Sequence, residues 1–124
     1  MEKSKILLID DEPEFTSYLR QVLESRGPYT VREENDERKA VHAAIDFKPH
    51  LIVLDMVFPW VSGDIIASRI RQIEDLSLIP ILFVTALVAE DQEGEKEHGK
   101  MTILSKPVKT EEFLGWVRVH LKEI

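Results

Sequence analysis

The chain contains no cysteine, which excludes disulfide bonds and thiolate metal sites and is compatible with a reducing cytosol. It also has no long hydrophobic run. The longest apolar stretches are about five residues, far short of the ~20 residues that cross a bilayer. The apolar run Ile6–Ile9 is too short to be the core of a signal peptide. We therefore expect a cytoplasmic protein that does not enter a membrane.

Basic residues are scarce compared with acidic ones. There are 16 Lys and Arg residues against 23 Asp and Glu residues, so the net charge is −7. An acidic surface is repelled by a phosphate backbone, which argues against direct binding to nucleic acid and is compatible with cations or a basic protein partner. With 44% hydrophobic residues and no visible linker or repeat, residues 1–124 are expected to form one domain.

Short apolar runs alternate with stretches of helical periodicity along almost the whole chain. In the first such stretch, Phe15, Leu19 and Val22 share one helical face, and Thr110 is the expected N-cap of the last helix. The expected strands are Ile6–Ile9, Tyr29–Val31, Leu51–Leu54, Ile81–Val84 and Met101–Leu104. This alternation predicts an α/β fold with a parallel sheet covered by helices on both faces.

Right-handed crossovers make a flavodoxin-like, doubly wound, five-stranded sheet of order 2-1-3-4-5 the natural architecture for this pattern. One segment breaks the alternation. Residues 89–100, where a fourth helix is expected, are mostly polar, contain two glycines and show no apolar stripe. A helix there would have little to pack against, so we expect it to be short or disordered.

Polar and charged side chains stand where the predicted strands end, and in an open α/β sheet ligands bind at that edge. These residues are Asp10, Asp11, Asp55, Thr85 and Lys106. Carboxylates ~4 Å apart repel by about 4 kcal/mol per pair at an effective dielectric of ~20. Such a cluster is stable only if one acid is protonated or a cation lies among the acids.

Oxygen ligands without nearby histidine or cysteine favour Mg²⁺ as that cation. A carboxylate beside Mg²⁺ can act as a nucleophile towards phosphorus and form an aspartyl phosphate. Lys106 could then neutralise one phosphoryl oxygen, and the Thr85 hydroxyl could hydrogen-bond to another. The residue set is chemically complete for accepting a phosphoryl group.

The pairs Asp10-Asp11, Thr85-Ala86 and Lys106-Pro107, together with Asp55, resemble the receiver domain of bacterial response regulators, of the single-domain chemotaxis type. Asp11, Asp55, Thr85 and Lys106 are separated by 44, 30 and 21 residues, as in that family. The resemblance covers essentially the whole chain. It implies a two-component phosphorelay switch rather than an enzyme, phosphorylated by a histidine kinase or a histidine phosphotransfer protein.

The resemblance also implies a role for each residue. Asp55 would be the phosphorylated residue, and Asp10, Asp11, Asp55 and the backbone carbonyl of Val57 would bind Mg²⁺. Lys106 would contact the phosphate, and Thr85 would move towards it on activation. The downstream partner or output domain is not identified by the sequence, and a monomer or weak homodimer is expected.

Two departures from the family pattern concern activation. Ile103 stands where many receiver domains have Tyr or Phe, so the usual coupling between a threonine and an aromatic side chain is lacking its aromatic member. The loop Phe58–Gly63 resembles the family's Met-Pro-x-Met-Asp-Gly but has Phe, Val and Ser at three of those positions. Trp60 in this loop is expected to be exposed beside the site.

Two alternatives to the phosphorylation switch follow from the same residues. The first is a receiver-like protein-interaction module that works without phosphate, which the aliphatic Ile103 and the polar segment 89–100 favour. The second is a Mg²⁺-dependent phosphohydrolase of the haloacid-dehalogenase type. That family has Asp-x-Asp after its first strand, whereas this chain has Asp10-Asp11-Glu12 and lacks the length for the usual cap.

Overall fold

The computed structural model describes residues 2–87, 93–96 and 101–123, and up to residue 85 strands and helices alternate as predicted. The strands are β1 (Ser4–Ile9), β2 (Tyr29–Glu34), β3 (Leu51–Leu54), β4 (Ile81–Thr85), β5 (Gly94–Lys96) and β6 (Met101–Ser105). The α-helices are α1 (Pro13–Arg26), α2 (Ala40–Phe47), α3 (Gly63–Arg71) and α4 (Thr110–His120). Short 3₁₀ helices lie at Glu37–Lys39 and Glu74–Leu76. None of the described helices has the length and apolar character needed to cross a lipid bilayer.

The sheet order is β2-β1-β3-β4-β6-β5. The first five strands in this order are parallel, so the predicted flavodoxin-like arrangement 2-1-3-4-5 is confirmed. The short strand β5 was not predicted. It pairs antiparallel with β6 and adds a sixth strand at that edge, with Glu95 opposite Thr102.

The predicted short or disordered fourth helix, in residues 89–100, can be compared with the structure only in part. Within that segment the described residues are 93–96, and Gly94–Lys96 among them is a strand. The remainder, 89–92 and 97–100, lies outside the described residues. A polar segment with no apolar stripe cannot bury a helix face, but its backbone can still hydrogen-bond to the edge of a sheet.

The core lies on both sides of the sheet because successive side chains of a strand point to opposite faces. On one side, Ile6 and Leu8 of β1 pack with residues of α1 and α4, such as Leu19 and Phe113. On the other side, the alternate residues of β1 pack with α2 and α3. The members of that second cluster include Leu7, Ile9, Ala43, Ile66 and Ile70. The expected helices on both faces are therefore present.

Helix α4 begins differently from the prediction. Thr110 was expected to be its N-cap, but Lys109 occupies that position with extended backbone and makes no side-chain cap hydrogen bond. Thr110 is already helical, and its hydroxyl shares a 2.7 Å hydrogen bond with the hydroxyl of Tyr18 in α1. The predicted cap is wrong because the hydroxyl is engaged between two helices rather than at a helix end.

Candidate functional site

Four carboxylates gather at the carboxyl edge of the sheet. Asp10, Asp11 and Glu12 follow β1, and Asp55 follows β3; each offers a carboxylate oxygen, and these four atoms lie within 4.8 Å of one another. The cause is the strand pairing, since β1 and β3 are parallel neighbours whose last residues are in register. The structure therefore brings Asp10, Asp11 and Asp55 together at one edge of the sheet, where the sequence predicted them.

Lys106 reaches into this carboxylate cluster from the end of β6. Its Nζ donates to Asp10 Oδ2 at 2.8 Å, to Glu12 Oε1 at 2.8 Å and to Asp55 Oδ2 at 3.1 Å. The ammonium also lies 4.5 Å from the centre of the Phe15 ring, within range of a cation–π interaction. The positive charge that the cluster was expected to need is thus supplied in part by the protein itself.

Two of the acids that contact Lys106 are nearly inaccessible to solvent: Asp10 is 4% exposed and Asp55 is 6% exposed. Burial raises the pKa of the Asp10 carboxyl, and the hydrogen bond from Lys106 offsets only part of that effect. Burial tends to lower the pKa of Lys106, but hydrogen bonds to Asp10 and Glu12 outweigh it and raise that pKa above its ordinary value. Lys106 is therefore held as an ammonium.

Backbone amides hold the two buried acids in place. Asp10 Oδ1 accepts from the backbone N–H of Glu12 at 2.9 Å, and the Asn35 side chain donates to the Asp10 carbonyl at 2.8 Å. Asp55 Oδ1 accepts from the backbone N–H of Val57 at 3.2 Å. Each of these acids therefore has one carboxylate oxygen on a backbone amide and the other on Lys106, so both side chains have a fixed orientation.

Gly63 makes the close packing behind Asp55 possible. Its N–H donates to the carbonyl of Met56 at 2.9 Å, which closes the loop between β3 and α3. A Cβ atom at this position would lie 2.0 Å from the Asp55 carbonyl oxygen and 2.7 Å from Met56 Cα. Both neighbours are backbone atoms and cannot move aside easily, so only glycine fits here.

The remaining predicted residues lie at the border of the cluster. Thr85 is fully buried at the end of β4, and its Oγ1 accepts from the backbone N–H of Leu87 at 3.3 Å. Within the described residues, no hydrogen bond joins the Thr85 side chain to the carboxylates. Ile103 is partly buried and packs against the core cluster on the α2 and α3 side of the sheet. Trp60 is 69% exposed, as expected.

The donor set is suited to a hard divalent cation. All four ligand groups are carboxylates, and the described cluster contains neither histidine nor cysteine. Mg²⁺ binds through one or a few carboxylates and keeps several waters, so a half-open site with the exposed Asp11 on its outer side fits it better than a closed cage would. The residues present are therefore compatible with Mg²⁺.

Sequence reasoning missed one member of the cluster. Glu12 was named only in the comparison with the Asp-x-Asp pattern of phosphohydrolases, yet its carboxylate binds Lys106. The signal that could have identified it is position, since Glu12 directly follows the acidic pair. The three predicted acids and the predicted lysine were found because each lies within two residues of the end of a strand.

Parallel strands, helices on both faces and a carboxylate–lysine cluster at the carboxyl edge define a doubly wound α/β domain with its binding site at the strand ends. The chain belongs to the response regulator receiver domain family, which residues 6–118 match. Receiver domains are signalling switches rather than classical enzymes. They act with histidine kinases or phosphotransfer proteins and with downstream effectors, and they use Mg²⁺ at an acidic pocket.

The chain matches some relatives over their whole length and others over only part of it. The chain is 28% identical over 122 residues to the polar-differentiation response regulator DivK of Brucella anthropi, covering 98% of both chains. It is 35% identical over 119 residues to the DNA-binding dual master transcriptional regulator RpaA of Synechocystis sp., covering 95% of this chain and 49% of RpaA. The chain therefore spans about half the length of that relative.

The fold has close counterparts among solved structures. The chemotaxis protein CheY4 of Vibrio cholerae superimposes with a TM-score of 0.81 at 24% identity, over 94% of this chain and 98% of that one. At this identity the likeness concerns the fold alone. Together with the family match, it places this chain among the receiver domains of two-component signalling.

Proposed function

We propose that residues 1–124 form one receiver domain in which Asp55 accepts a phosphoryl group from a histidine kinase or a histidine phosphotransfer protein. The observation that carries this proposal is the position of Lys106 Nζ, 2.8–3.1 Å from carboxylates that follow β1 and β3. An ammonium held against a buried carboxylate is suited to a reaction in which a phosphoryl group with several negative charges arrives at that carboxylate.

The proposed ligands of Mg²⁺ are the carboxylates of Asp10, Asp11 and Asp55 and the backbone carbonyl of Val57. Bound there, Mg²⁺ would neutralise charge on the incoming phosphoryl oxygens. The protein's own contribution is orientation: Asp10 and Asp55 are fixed by backbone amides, and Asp11 lies at the exposed outer side. Glu12 is an additional carboxylate that keeps Lys106 at the cluster.

In the proposed transfer, an Asp55 carboxylate oxygen attacks phosphorus, and a phosphorus–oxygen bond forms as the phosphorus–nitrogen bond of the phosphohistidine breaks. The electron pair of the broken bond stays on the imidazole nitrogen, which takes a proton from solvent. Lys106 is already charged and can contact a phosphoryl oxygen without any proton transfer. The reaction therefore needs positioning and charge neutralisation more than acid or base chemistry.

Thr85 and Ile103 are the proposed switch positions. The Thr85 oxygen accepts from Leu87, which leaves its hydroxyl proton free to be donated to a phosphoryl oxygen. Ile103 packs on the same side of the sheet as Phe83 and has no aromatic ring to rotate. We infer that activation changes the contacts of Thr85 and of the segment after β4, and thereby the binding of a protein partner.

The test is labelling by acetyl phosphate with MgCl₂, followed by intact mass measurement. The wild type is expected to gain one phosphoryl group, and Asp55→Asn is expected to gain none while it retains its circular dichroism spectrum. Asp46→Asn is the matched control, because Asp46 is an exposed residue of α2 that pairs with Arg32 of β2 and is not a member of the cluster. Its labelling should equal that of the wild type.

Three results would redirect the assignment. Equal labelling of the wild type and Asp55→Asn would show that Asp55 is not the acceptor. No labelling of the wild type by any of several small phosphodonors would favour the phosphate-independent interaction module. Sustained turnover of a small phosphate ester would favour the phosphohydrolase alternative.

A further inference from the structure

The loop that connects Asp55 to α3 is anchored at both ends. At its start, the backbone N–H of Asp55 donates to the carbonyl of Ile9 at 3.1 Å, which ties it to β1. At its end, Gly63 is hydrogen-bonded to Met56. The middle of the loop, residues 57–61, includes the backbone carbonyl of Val57 that we propose as a metal ligand. The contacts that fix residues 57–61 therefore also fix the position of this proposed metal ligand.

Glu37 binds the middle of the loop directly. Its Oε2 accepts from the backbone N–H of Trp60 at 3.0 Å, a contact between residues 23 positions apart in the chain. Glu37 is only 6% exposed, and the hydrogen bond itself is partly buried. A buried carboxylate is costly unless its oxygens are hydrogen-bonded, which makes the Trp60 amide a strong determinant of where the two segments meet.

The neighbouring residue contacts the same tryptophan from outside. The guanidinium carbon of Arg38 lies 5.6 Å from the centre of the Trp60 ring, at the distance of a cation–π contact. Arg38 is itself held by two hydrogen bonds to the Asp36 carboxylate at 3.1 and 3.2 Å. The 3₁₀ turn Glu37–Lys39 therefore binds Trp60 twice, through its backbone and through its ring.

A simpler interpretation is that Glu37 only favours the N-terminal end of a helix, as acids commonly do. The contacts assign that function to another residue. The Asp36 side chain accepts from the backbone N–H of Arg38 at 2.9 Å and is the cap of the 3₁₀ turn. The Glu37 carboxylate points instead to a loop that belongs to the site.

We propose that Glu37 is a positioning residue for the phosphoacceptor loop, holding the backbone of Trp60 so that Val57 stays beside Asp55. This inference rests on the proposed function of Asp55 and its Mg²⁺ site. Glu37 itself does not contact the metal or the phosphoryl group. Its effect is carried by the two residues of loop backbone between Val57 and Trp60, Phe58 and Pro59.

The test compares two variants that carry the same net charge. Glu37→Gln retains a carbonyl oxygen that can accept from Trp60, whereas Glu37→Met has a similar volume and lacks that acceptor. Binding of MgCl₂ is measured by isothermal titration calorimetry. We expect the Mg²⁺ dissociation constant of Glu37→Met to be about tenfold larger than that of Glu37→Gln, as for other residues that orient a metal ligand without binding the metal themselves.

Two further measurements separate positioning from general instability. The initial rate of labelling by acetyl phosphate should fall in Glu37→Met and be nearly retained in Glu37→Gln. Amide hydrogen exchange at Trp60 should be faster in Glu37→Met, whereas exchange in the core strand β1 should be equal in both variants. Equal Mg²⁺ affinities and equal labelling rates for the two variants would overturn the proposal.

The role of Glu37 can also be tested if the proposed function of Asp55 is wrong. In that case the wild type binds no Mg²⁺ and is not labelled, and hydrogen exchange at Trp60 becomes the deciding measurement. Faster exchange in Glu37→Met than in Glu37→Gln would support Glu37 as the residue that holds this loop. Unchanged exchange would refute that role independently of any result with Asp55.

Discussion

At the scale of single residues, Gly63 shows how strictly the backbone around Asp55 is constrained. Gly63→Ala would place a methyl group against the Asp55 carbonyl and Met56 Cα, with no room for either to move away. We expect a loss of about 1–3 kcal/mol in the free energy of unfolding, the usual range for overpacking. We also expect labelling by acetyl phosphate to fall, because the loop that carries the acceptor must shift.

The matched control for this substitution is Gly115→Ala. Gly115 lies inside α4, and a Cβ atom there would meet nothing within 4 Å. Alanine at that position should stabilise the protein by up to about 1 kcal/mol, since glycine is the poorer helix former. Urea unfolding of both variants measures the two effects. Changes of the same sign in both would contradict this account of Gly63.

Much of the candidate site could be predicted residue by residue because its members follow strands directly. Asp10, Asp55 and Lys106 are adjacent in the structure because the carboxyl ends of parallel strands meet at one edge of the sheet. Glu12 and Glu37 could not be found in this way. Glu12 joins the cluster through the contact of its side chain with Lys106, and Glu37 contacts the backbone of Trp60, which is 23 positions away in the chain.

At the scale of elements, the end of the chain after α4 is attached to the start of β2. The Tyr29 hydroxyl donates to Glu123 Oε2 at 2.6 Å. Tyr29 is almost fully buried, and this burial, together with the hydrogen bond to the carboxylate, raises the pKa of its phenol to about 12. The protonated phenol therefore contributes to the attachment of α4 to the sheet.

This contact predicts a pH-dependent contribution to stability. The folded protein holds the phenol proton more tightly than the unfolded chain, whose tyrosine pKa is about 10. The contribution is therefore complete below pH ~10 and is lost as the pH rises through the folded pKa of about 12. Tyr29→Phe should cost about 1 kcal/mol at pH 8, and the difference from wild type should shrink above pH 10.

Urea unfolding of the wild type and Tyr29→Phe at pH 8 and pH 11 tests this expectation. Lysine residues also titrate in that range, but they are common to both proteins and cancel in the difference. A difference that is constant between the two pH values would show that the phenol proton is not linked to folding.

Element boundaries show where sequence patterns are reliable and where they are not. The apolar runs located the central parallel strands because a buried strand must be apolar on both faces, and the edge strand β2 was recognised only over its first half, Tyr29–Val31. Strand β5 was not found, since an edge strand of three residues is held by backbone hydrogen bonds that leave no hydrophobic pattern. The Thr110 cap was mistaken because local sequence does not show that Tyr18 competes for the hydroxyl.

At the scale of the whole molecule, the carboxylate cluster should couple metal binding to folding. Asp10, Asp11 and Asp55 come together only in the folded chain, so Mg²⁺ should bind the native state in preference to the unfolded one. At a free Mg²⁺ concentration 100 times the dissociation constant, the gain is about 2.7 kcal/mol. The melting temperature should rise with MgCl₂ accordingly.

Ionic strength must be controlled in that experiment because the chain carries a net charge of −7, and any salt screens its self-repulsion. The melting temperature is therefore measured in MgCl₂ and in NaCl of equal ionic strength. Asp11→Asn should show a smaller Mg²⁺-specific rise than the wild type. An identical rise in both salts would argue against a specific divalent site.

The sequence by itself determined the α/β class, the positions of the parallel strands and the residues at their ends. Each of these can be read from a short stretch of residues, because a buried strand needs a local apolar run and the residues that follow it lie at the edge of the sheet. The tertiary structure alone decided which side chains share Lys106, that Glu37 holds the loop at Trp60, and that a sixth strand extends the sheet. The contacts of Lys106 and Glu37 join segments far apart in the chain. Their geometry depends on how the layers pack, which no local pattern of residues encodes.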